Sequence, residues 1–299
     1  MNFCTVSDYN YILKGLALFD SLKNTLNDDF ILHYLCMDKK IFDAITKIDD
    51  NRLIPILLSD LESIDTELRQ AKNNPASKYG TQYSQYCWSL TPYFINYILN
   101  NYLFEDEYLI YCDSDIYFYE SPQKIIDVIN NKSVGIHTHR FGGEYNENQD
   151  VGWFNVGVTI FKKDKIGLSI SESWKNWLLT TSHPFYQKYG TCGDQKYLEL
   201  FIRYWKNDVC IFDQNTEIGH LAAWNCSNLV HPKKGYIIYK GVEQKVYFYH
   251  FSHFVEDLQS NTWKDHIKEP PEWLPSSDLN IKPYYEDYFY TIKKVNELT

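Results

Sequence analysis

Short apolar segments alternate with amphipathic ones through the first 112 residues of the chain. The alternation predicts strands at 3–6, 30–36, 52–58 and 107–112. It predicts helices at 11–26 and 41–48, a helix that begins at Ser59 with a capping-box pattern, and a helix from near Pro92 to about residue 102. The polar stretch 71–81 is predicted to be a loop. Strands and helices that alternate in this way predict an α/β fold with right-handed crossovers and a mostly parallel, Rossmann-like sheet flanked by helices.

The second half of the chain has a less regular pattern. It predicts strands at 156–161 and 246–251, and helices at 165–179 and 194–205. The tail from Pro270 onward is rich in Pro and Tyr and is expected to wrap the surface. Because no repeat or linker separates two units, the simplest prediction is one domain with a C-terminal elaboration.

Two acidic residues follow the strand predicted at 107–112. Ligands of doubly wound sheets bind beyond the carboxyl ends of the strands, which singles out the residues after Val6 and after Cys112. Asp113 and Asp115 would project to the same side of an extended chain, where they repel each other unless a cation lies between them. Carboxylate oxygens suit Mg²⁺ or Mn²⁺. An Asp-rich turn that caps the next helix is the alternative interpretation.

Three further segments carry polar groups in apolar surroundings. His250 ends an aromatic strand, and an imidazole beside two carboxylates favours Mn²⁺ as the metal ion. His253 could be the ligand in place of His250. The simpler interpretation of His250 is a histidine of the core with no role in metal binding. Asp194 and Gln195 open a helix, where an Asp also suits an N-terminal cap. Asn155 interrupts an apolar strand two positions before a glycine, which permits close approach of a ligand or forms a bulge.

Composition and charge narrow the range of partners. With 44% hydrophobic and 23% charged residues the chain is typical of a globular domain, and its net charge of −10 with scattered basic pairs excludes nucleic acid as a partner. No apolar run is long enough to span a membrane, and residues 1–6 lack the features of a signal peptide. Seven widely spaced Cys without a CxxC pair argue against disulfides and zinc, so a cytoplasmic protein is expected.

The order of these segments resembles that of the GT-A glycosyltransferases, and among them family 8 and related bacterial nucleotide-diphospho-sugar transferases. The resemblance covers roughly residues 3–255 and rests on segments 5–11, 113–115, 154–158, 194–195 and 250–251, with further similarity at 139–141 and 222–225. It implies a GT-A catalytic domain at 1–255, with a donor-binding half at about 1–120 and an acceptor half at about 121–255, and a C-terminal extension at 256–299 packed on that domain.

The resemblance also implies roles for individual residues. The nucleotide base and ribose would be held by Thr5, Val6, Ser7, Asp8 and Tyr11. The diphosphate site would comprise Asp113, Ser114, Asp115, Arg140 and His250, of which Asp113, Asp115 and His250 would ligate Mn²⁺ or Mg²⁺. The catalytic residues around the sugar would be Asn155, Asp194 and Gln195.

The chain departs from the family pattern after its last motif. Family 8 usually continues the final His into a Gly and a Lys-Pro-Trp that grips the diphosphate, whereas Ser252, His253 and Phe254 follow here. The diphosphate is therefore predicted to be neutralised by a basic residue elsewhere, with three candidates: Arg140, Lys245 and Lys264.

The function implied is transfer of a sugar from a nucleotide-diphosphate donor, with UDP the expected carrier, to a glycan or lipid-linked saccharide. A polysaccharide or lipopolysaccharide precursor would fit, and a lipid-linked acceptor would allow peripheral membrane association. Acceptor loops are expected at 71–90, 140–152 and 226–240. Family 8 retains the anomeric configuration, either by front-face attack of the acceptor hydroxyl or through a covalent intermediate on Asp194 or Gln195.

Two other functions compete with transfer. A nucleotide-sugar-binding protein that has lost turnover would share the fold, but the intact acidic pair, the Asp194-Gln195 segment and His250 argue against it. Phosphatases of the haloacid-dehalogenase class also place two Asp after a strand. They need Thr or Val where Tyr117 stands, and they usually carry the motif near the N-terminus. The sequence therefore favours a transferase over both.

Overall fold

The computed structural model describes residues 1–27, 29–73, 80–141, 151–180, 193–252, 254–265 and 275–298. Within these residues the helices are Ile12–Thr25 (α1), Lys39–Thr46 (α2), Leu58–Ile64 (α3), Thr66–Ala71 (α4), Gln82–Asn101 (α5), Gln123–Ile129 (α6), Lys165–Thr180 (α7), Leu198–Trp205 (α8) and Lys282–Asn296 (α9). In this described part, no helix is both long enough and apolar enough to cross a bilayer.

Fourteen strands accompany these helices in the described residues. They are Asn2–Ser7 (β1), Ile31–Cys36 (β2), Leu53–Leu57 (β3), Tyr108–Cys112 (β4), Ile116–Phe118 (β5), Val134–Thr138 (β6), Phe154–Lys162 (β7), Val209–Ile211 (β8), Ile218–Ala222 (β9), Val230–Lys233 (β10), Tyr236–Tyr239 (β11), Val242–His250 (β12), Phe254–Asp257 (β13) and Thr262–Asp265 (β14). Short 3-10 turns lie at Tyr9–Tyr11, Gln195–Tyr197, Cys226–Asn228 and Pro275–Ser277.

A seven-stranded sheet with the order β3-β2-β1-β4-β7-β6-β8 forms the centre of the protein. β3, β2, β1 and β4 are parallel, β7 is antiparallel to both β4 and β6, and β8 is parallel to β6. The predicted α/β fold with a mostly parallel sheet is confirmed. Because the chain runs outward from β1 to β3 and then returns to β4 on the other side of β1, the strand order reverses between β1 and β4, where such sheets bind ligands.

A second sheet contains β12. Its order is β10-β11-β12-β5, with β9 paired to β12 in parallel. β5 begins directly after Asp115, and its antiparallel register with β12 pairs Ile116 with His250. The end of β12 therefore comes next to the acidic pair, although 135 positions separate Asp115 from His250 in the sequence.

α5 begins well before the position that the sequence predicts. Its N-terminal cap is Thr81, whose side-chain oxygen accepts a hydrogen bond of 3.1 Å from the Ser84 N–H, so Pro92 lies in the helix interior and not near its start. Proline removes one intrahelical hydrogen bond. The residues from Ser89 to Asn96 are all buried, and packing of this segment outweighs that loss.

One other prediction about a helix is wrong. The predicted capping box at Ser59 is not used, because α3 already begins at Leu58 without a side-chain cap. The C-terminal tail does not simply wrap the surface. It contains α9, which packs against α1 and buries Tyr284, Tyr285 and Tyr288 in an apolar cluster that also includes Phe254.

Candidate functional site

A cavity of about 640 Å³ opens beyond the carboxyl ends of β1 and β4. This volume lies in the range of small-molecule sites in proteins. Its wall combines groups from both sheets and from α5, and the predicted site residues on it are Val6, Ser7, Asp8, Tyr11, Asp113, Ser114, Asp115, Asn155, Asp194, Gln195 and His250. Segments that are distant in the sequence therefore meet in one cavity.

Asp113, Asp115 and His250 form a compact group in this cavity. One ligand atom from each residue lies within 4.8 Å of the other two. His250 Nε2 is 3.0 Å from Asp115 Oδ1 and 3.6 Å from Asp113 Oδ2. Two carboxylates and one imidazole provide the oxygen and nitrogen donors that a divalent cation prefers, so the residues present fit a metal ion.

The three groups change each other's ionisation. Burial and the neighbouring Asp115 charge raise the pKa of Asp113. Burial alone would raise the pKa of Asp115, but the charge and hydrogen bond of His250 outweigh burial and lower it. Burial opposes protonation of His250, yet the two carboxylates raise its pKa. The cluster thus attracts positive charge, whether a proton on His250 or a cation.

Asn155 orients His250 from the opposite edge of its ring. The Asn155 Oδ1 accepts a hydrogen bond of 2.9 Å from the Gly157 N–H and lies 3.2 Å from His250 Nδ1. Since the Gly157 N–H requires the oxygen on this side of the amide, His250 Nδ1 is assigned as the donor to it. With Nδ1 protonated, Nε2 faces the two carboxylates, where it either donates a hydrogen bond to Asp115 or, when unprotonated, offers its lone pair to a cation.

The amide nitrogen of Asn155 connects His250 to two more polar groups. It lies 3.2 Å from His139 Nε2 and donates a hydrogen bond of 3.4 Å to Gln195 Oε1. Burial lowers the pKa of His139 to about 3, which keeps its ring neutral and able to accept the Asn155 hydrogen bond. A continuous polar layer therefore lies under this end of the cavity.

Asp194 is more deeply buried than the acidic pair, and the charge of Asp113 acts on its carboxyl group. Burial, with the charge of Asp113, raises its pKa to about 7. Its backbone carbonyl accepts a hydrogen bond of 3.2 Å from the Trp174 indole. The preceding Gly193 has a φ of +64°, and a Cβ built on it would lie 2.8 Å from the Trp88 ring. Glycine is therefore required where the backbone passes Trp88 to deliver Asp194.

The end of β1 forms the other side of the cavity. Asp8 caps the 3-10 turn by accepting a hydrogen bond of 3.0 Å from the Asn10 N–H, and its second oxygen accepts one of 2.7 Å from the Tyr83 hydroxyl. Asp38 accepts a hydrogen bond of 3.0 Å from the Tyr9 N–H, which ties the turn to the start of α2. These bonds shape the part of the cavity where Tyr11 is accessible.

Three solved structures to which this chain is similar are those of glycosyltransferases. The structure of WbbM, a bifunctional glycosyltransferase, aligns over 98% of this chain and 49% of its own with a TM-score of 0.52 and 11% identity. Mouse xyloside xylosyltransferase 1 aligns over 71% of this chain and 85% of its own, with a TM-score of 0.48 and 13% identity. The galactosyltransferase LgtC aligns over 74% and 76%, with a TM-score of 0.46 and 14% identity. The fold is GT-A-like.

Sequence relatives add no assigned activity. YfnD of Bacillus subtilis strain 168 is 26% identical over 301 aligned positions, which cover 98% of this chain and 89% of YfnD. YfnF of the same strain is 27% identical and covers 84% of this chain and 80% of YfnF. Both are named as uncharacterised proteins. No protein-family model matches the chain.

Two of the predicted donor-binding residues do not reach the cavity of this GT-A-like fold. Thr5 is fully buried inside β1, one position before the wall of the cavity begins. Arg140 has a φ of +56°, and its buried guanidinium donates to the Asp213 carboxylate at 3.0 Å and to Gln244 Oε1 at 2.7 Å. The Arg140 guanidinium thus forms an ion pair with a buried carboxylate behind the site. This corrects the prediction that Arg140 neutralises a diphosphate.

The other basic candidates also lie elsewhere. Lys245 is paired with Glu120 at 2.8 Å, and Lys264 is exposed on β14. His253, the alternative metal ligand, lies outside the described residues. The expected acceptor loop at 71–90 is helical from Gln82 onward, and the one at 226–240 contains β10 and β11.

Several residues that line the cavity were not singled out individually in the sequence, although three of them fall in the expected acceptor loop at 71–90. Met37 follows β2, and α5 contributes Tyr83, Cys87, Trp88 and Thr91. Tyr111, on β4, donates a hydrogen bond of 2.8 Å to Asp113 Oδ1. An α5 that starts at Gln82 and crosses the β1 edge would have indicated these side chains, but the proline at position 92 suggested a later start.

Proposed function

We propose that this protein is a metal-dependent glycosyltransferase that moves a sugar from a nucleotide-diphosphate donor, with UDP as the carrier, to a hydroxyl of a glycan or lipid-linked saccharide. The observation that carries the proposal is the meeting of Asp113, Asp115 and His250 in a cavity at the β1 edge of a GT-A-like fold. A structural neighbour, LgtC, was solved with donor and acceptor sugar analogues, which supports this substrate class.

The residues that would hold the metal are Asp113, Asp115 and His250. When bound there, Mn²⁺ or Mg²⁺ would supply Lewis-acid stabilisation of negative charge on the departing diphosphate. Asn155 keeps a proton on His250 Nδ1, so that Nε2, which faces the carboxylates, is the nitrogen that would ligate the metal. Tyr111 holds Asp113 through its hydroxyl. These supporting bonds reduce the reorganisation that ligand binding requires.

The donor nucleotide and the donor sugar would occupy different ends of the cavity. We assign the base and ribose to Asp8 and Tyr11, beside Tyr83, and the sugar to Asn155, Asp194 and Gln195. Retention of configuration is expected, with front-face attack and a covalent intermediate on Asp194 or Gln195 as the two routes. In either route these three residues would contact the sugar as its anomeric carbon becomes positively charged.

The test is a thermal-shift screen of nucleotide sugars with and without Mn²⁺, followed by assay of donor hydrolysis. Donor binding raises the apparent stability of a folded protein. We expect one UDP-sugar to stabilise the wild type only with Mn²⁺ and to release UDP slowly. Asp115→Asn should abolish both effects, whereas Asp43→Asn, which removes an exposed carboxylate on α2, should change neither.

Each competing function has its own outcome in this test. Binding of a nucleotide sugar without release of UDP would identify an inactive binder. Release of phosphate from a generic phosphoester would favour a phosphatase. Wild-type turnover in Asp115→Asn, measured with Mn²⁺ present, would refute the metal site itself.

A further inference from the structure

One face of α5 forms a wall of the cavity. Five of its side chains line the cavity at positions that share one side of a helix: Tyr83, Ser84, Cys87, Trp88 and Thr91. Tyr83 lies beside Asp8, at the end that we assign to the nucleotide, and its hydroxyl donates a hydrogen bond of 2.7 Å to that carboxylate. Trp88 is the largest of the five side chains and lies more than one turn further along the helix. The indole therefore borders a part of the cavity beyond the nucleotide end.

The Trp88 indole packs closely against two glycines. A Cβ built on Gly193 would lie 2.8 Å from Trp88 Cδ2, and one built on Gly80 would lie 2.8 Å from Trp88 Cη2. Both glycines have a positive φ, +64° at Gly193 and +75° at Gly80, which other residues rarely adopt. Gly193 directly precedes Asp194, one of the residues that we assign to the donor sugar. The backbone on both sides therefore holds the indole next to the sugar end of the cavity.

Trp88 differs from the other two tryptophans around the site. Trp174 is fully buried, and its indole N–H donates a hydrogen bond of 3.2 Å to the Asp194 carbonyl oxygen. Trp224 is also buried, and its indole N–H donates one of 3.1 Å to the His139 carbonyl oxygen. Trp88 is half-buried, and in the described part of the chain its indole N–H has no hydrogen-bond partner and is not fully buried. Because a tryptophan of the core usually pairs its N–H, Trp88 is the one suited to contact a ligand.

The chemistry of a pyranose ring matches this side chain. The C–H groups on one face of a pyranose form an apolar patch, and hydroxyl groups project from the rim of the ring. An indole can cover the apolar patch, which removes apolar area from water, while its N–H donates a hydrogen bond to a hydroxyl. Thr91 and Asp194, which line the same end of the cavity, offer polar groups to the remaining hydroxyls. Trp88 thus supplies the apolar contact that these polar groups lack.

We propose that Trp88 binds the sugar of the donor by covering the apolar C–H face of a pyranose ring, and that it selects donors whose sugar presents such a face. This inference rests on the proposed function, since it assumes a nucleotide sugar in the cavity. It deepens that function by naming a side chain of α5 that contacts the sugar and not the nucleotide. A change at Trp88 should therefore alter the binding of a sugar nucleotide but not the binding of UDP.

Calorimetry at fixed Mn²⁺ tests this role by comparing UDP with UDP-glucose, UDP-galactose and UDP-N-acetylglucosamine. The principal variant is Trp88→Leu, which keeps an apolar side chain but removes the aromatic ring and the indole N–H. We expect its affinity for the sugar nucleotide that the wild type binds most tightly to fall roughly 5- to 30-fold, as for loss of a buried apolar contact. Its affinity for UDP should stay unchanged, because the nucleotide does not contact the indole.

Matched variants separate contact with the sugar from packing. Trp88→Phe should recover most of the affinity for the sugar nucleotide because it keeps an aromatic face. Trp205→Leu removes another half-buried tryptophan, which packs against Tyr204 outside the cavity, and should bind every probe as the wild type does. If Trp88→Leu does not fold, the protein labelled with 5-fluorotryptophan replaces it. The fluorine resonance that Trp88→Phe lacks should then shift with the sugar nucleotide and Mg²⁺ but not with UDP and Mg²⁺.

The outcomes distinguish this inference from the function on which it rests. Wild-type affinity for the sugar nucleotide in Trp88→Leu would overturn the role of Trp88 and leave the proposed function standing. Equal weakening of UDP and the sugar nucleotide would also overturn it, because displacement of the Gly193 segment would be the cause. The same holds if the wild type binds UDP but none of the three sugar nucleotides. If the wild type binds neither UDP nor any sugar nucleotide with Mn²⁺, the proposed function is wrong and the inference fails with it.

Discussion

Asn155 Oδ1 lies 3.2 Å from His250 Nδ1, on the edge of the imidazole that faces away from Asp113 and Asp115. The same oxygen accepts the Gly157 N–H, so the amide cannot turn without losing that bond. A metal-ligating histidine commonly donates its second N–H to such a partner, which sets the tautomer and the direction of the ring.

Asn155→Ala should therefore weaken Mn²⁺ binding without removing a ligand. Because loss of an orienting partner typically costs 10–100-fold in metal affinity, we expect a decrease of about that size. Calorimetric or EPR titration of Mn²⁺ measures it. Asn101→Ala, which removes an exposed amide at the end of α5, is the control. Unchanged Mn²⁺ affinity in Asn155→Ala would show that His250 orients itself without this amide.

Gly157→Ala should damage the same site by steric means. A Cβ at this position would lie 2.5 Å from His250 Nδ1 and 2.7 Å from Asn155 Oδ1, so both side chains would have to move. We expect at least a roughly tenfold loss of Mn²⁺ affinity and a loss of about 1–3 kcal/mol in the free energy of unfolding. Both are measured on the same purified variant.

Gly241→Ala is the matched control for that substitution. Gly241 has a φ of +83° and no heavy atom within 4 Å of a Cβ built on it. The change should cost about 1–3 kcal/mol through backbone strain but leave Mn²⁺ affinity unchanged. A Gly157→Ala protein that loses only stability would contradict the close packing of His250 against this glycine.

Asp213→Asn should destabilise the fold strongly. The Asp213 carboxylate pairs with the Arg140 guanidinium at 3.0 Å where neither side chain is exposed beyond 1%, and it also accepts the Thr138 hydroxyl at 2.7 Å. Removing one member of a buried pair leaves the other charge uncompensated, so we expect a loss of about 3–5 kcal/mol in urea denaturation.

The exposed pair of Lys39 and Asp43, at 2.6 Å, offers the comparison. Asp43→Asn should cost less than about 1 kcal/mol, because water screens an exposed ion pair. A similarly small cost for Asp213→Asn would mean that the Arg140 charge is compensated in another way.

Stability should fall in mild acid partly because of His33. Burial lowers the pKa of His33 from an ordinary 6.5 to about 4 in the folded protein. Between these values the unfolded chain binds the proton more readily than the folded one, so stability is lost as the pH falls from 6.5 towards 4. At pH 5 this single residue should cost roughly 2 kcal/mol relative to pH 7.5.

His33→Leu tests that contribution. The Nδ1 of His33 has no hydrogen-bond partner, and the ring packs against Tyr102. Replacing the ring with an apolar side chain therefore breaks no hydrogen bond of Nδ1. Urea denaturation at pH 7.5 and pH 5 should show a smaller pH-dependent loss in the variant, by roughly 2 kcal/mol. Equal losses in both proteins would mean that His33 does not titrate differently on unfolding.

Local patterns predicted much of the fold. The four apolar runs of the first half all form parallel strands of the central sheet, with ends within two residues of the predictions. Strand and helix periodicity depends on residues a few positions apart, so it can be interpreted without knowledge of the rest of the chain. The sequence placed the start of α5 too late, near Pro92. In the structure, tertiary packing retains Pro92 inside a buried helix that begins earlier.

The candidate site was only partly predictable. Asp113 and Asp115 follow an apolar strand, and that position alone put them at the ligand-binding edge of a parallel sheet. Arg140 was assigned to the diphosphate by resemblance, but a buried carboxylate 73 positions away holds its guanidinium. The contact of Trp88 with Gly193 joins residues 105 positions apart and leaves no local signal in the sequence.

The amino-acid order by itself determined the alternating strands and helices and the acidic pair at the end of β4, because short-range periodicity and strand direction decide both. Only the tertiary structure decided which histidine meets that pair, which amide orients the histidine, and which basic side chains are already paired with carboxylates. Those choices depend on the pairing of β5 with β12 and on the packing of α1 and α5 around the cavity. Such long-range contacts form between segments whose sequences carry no information about each other's position.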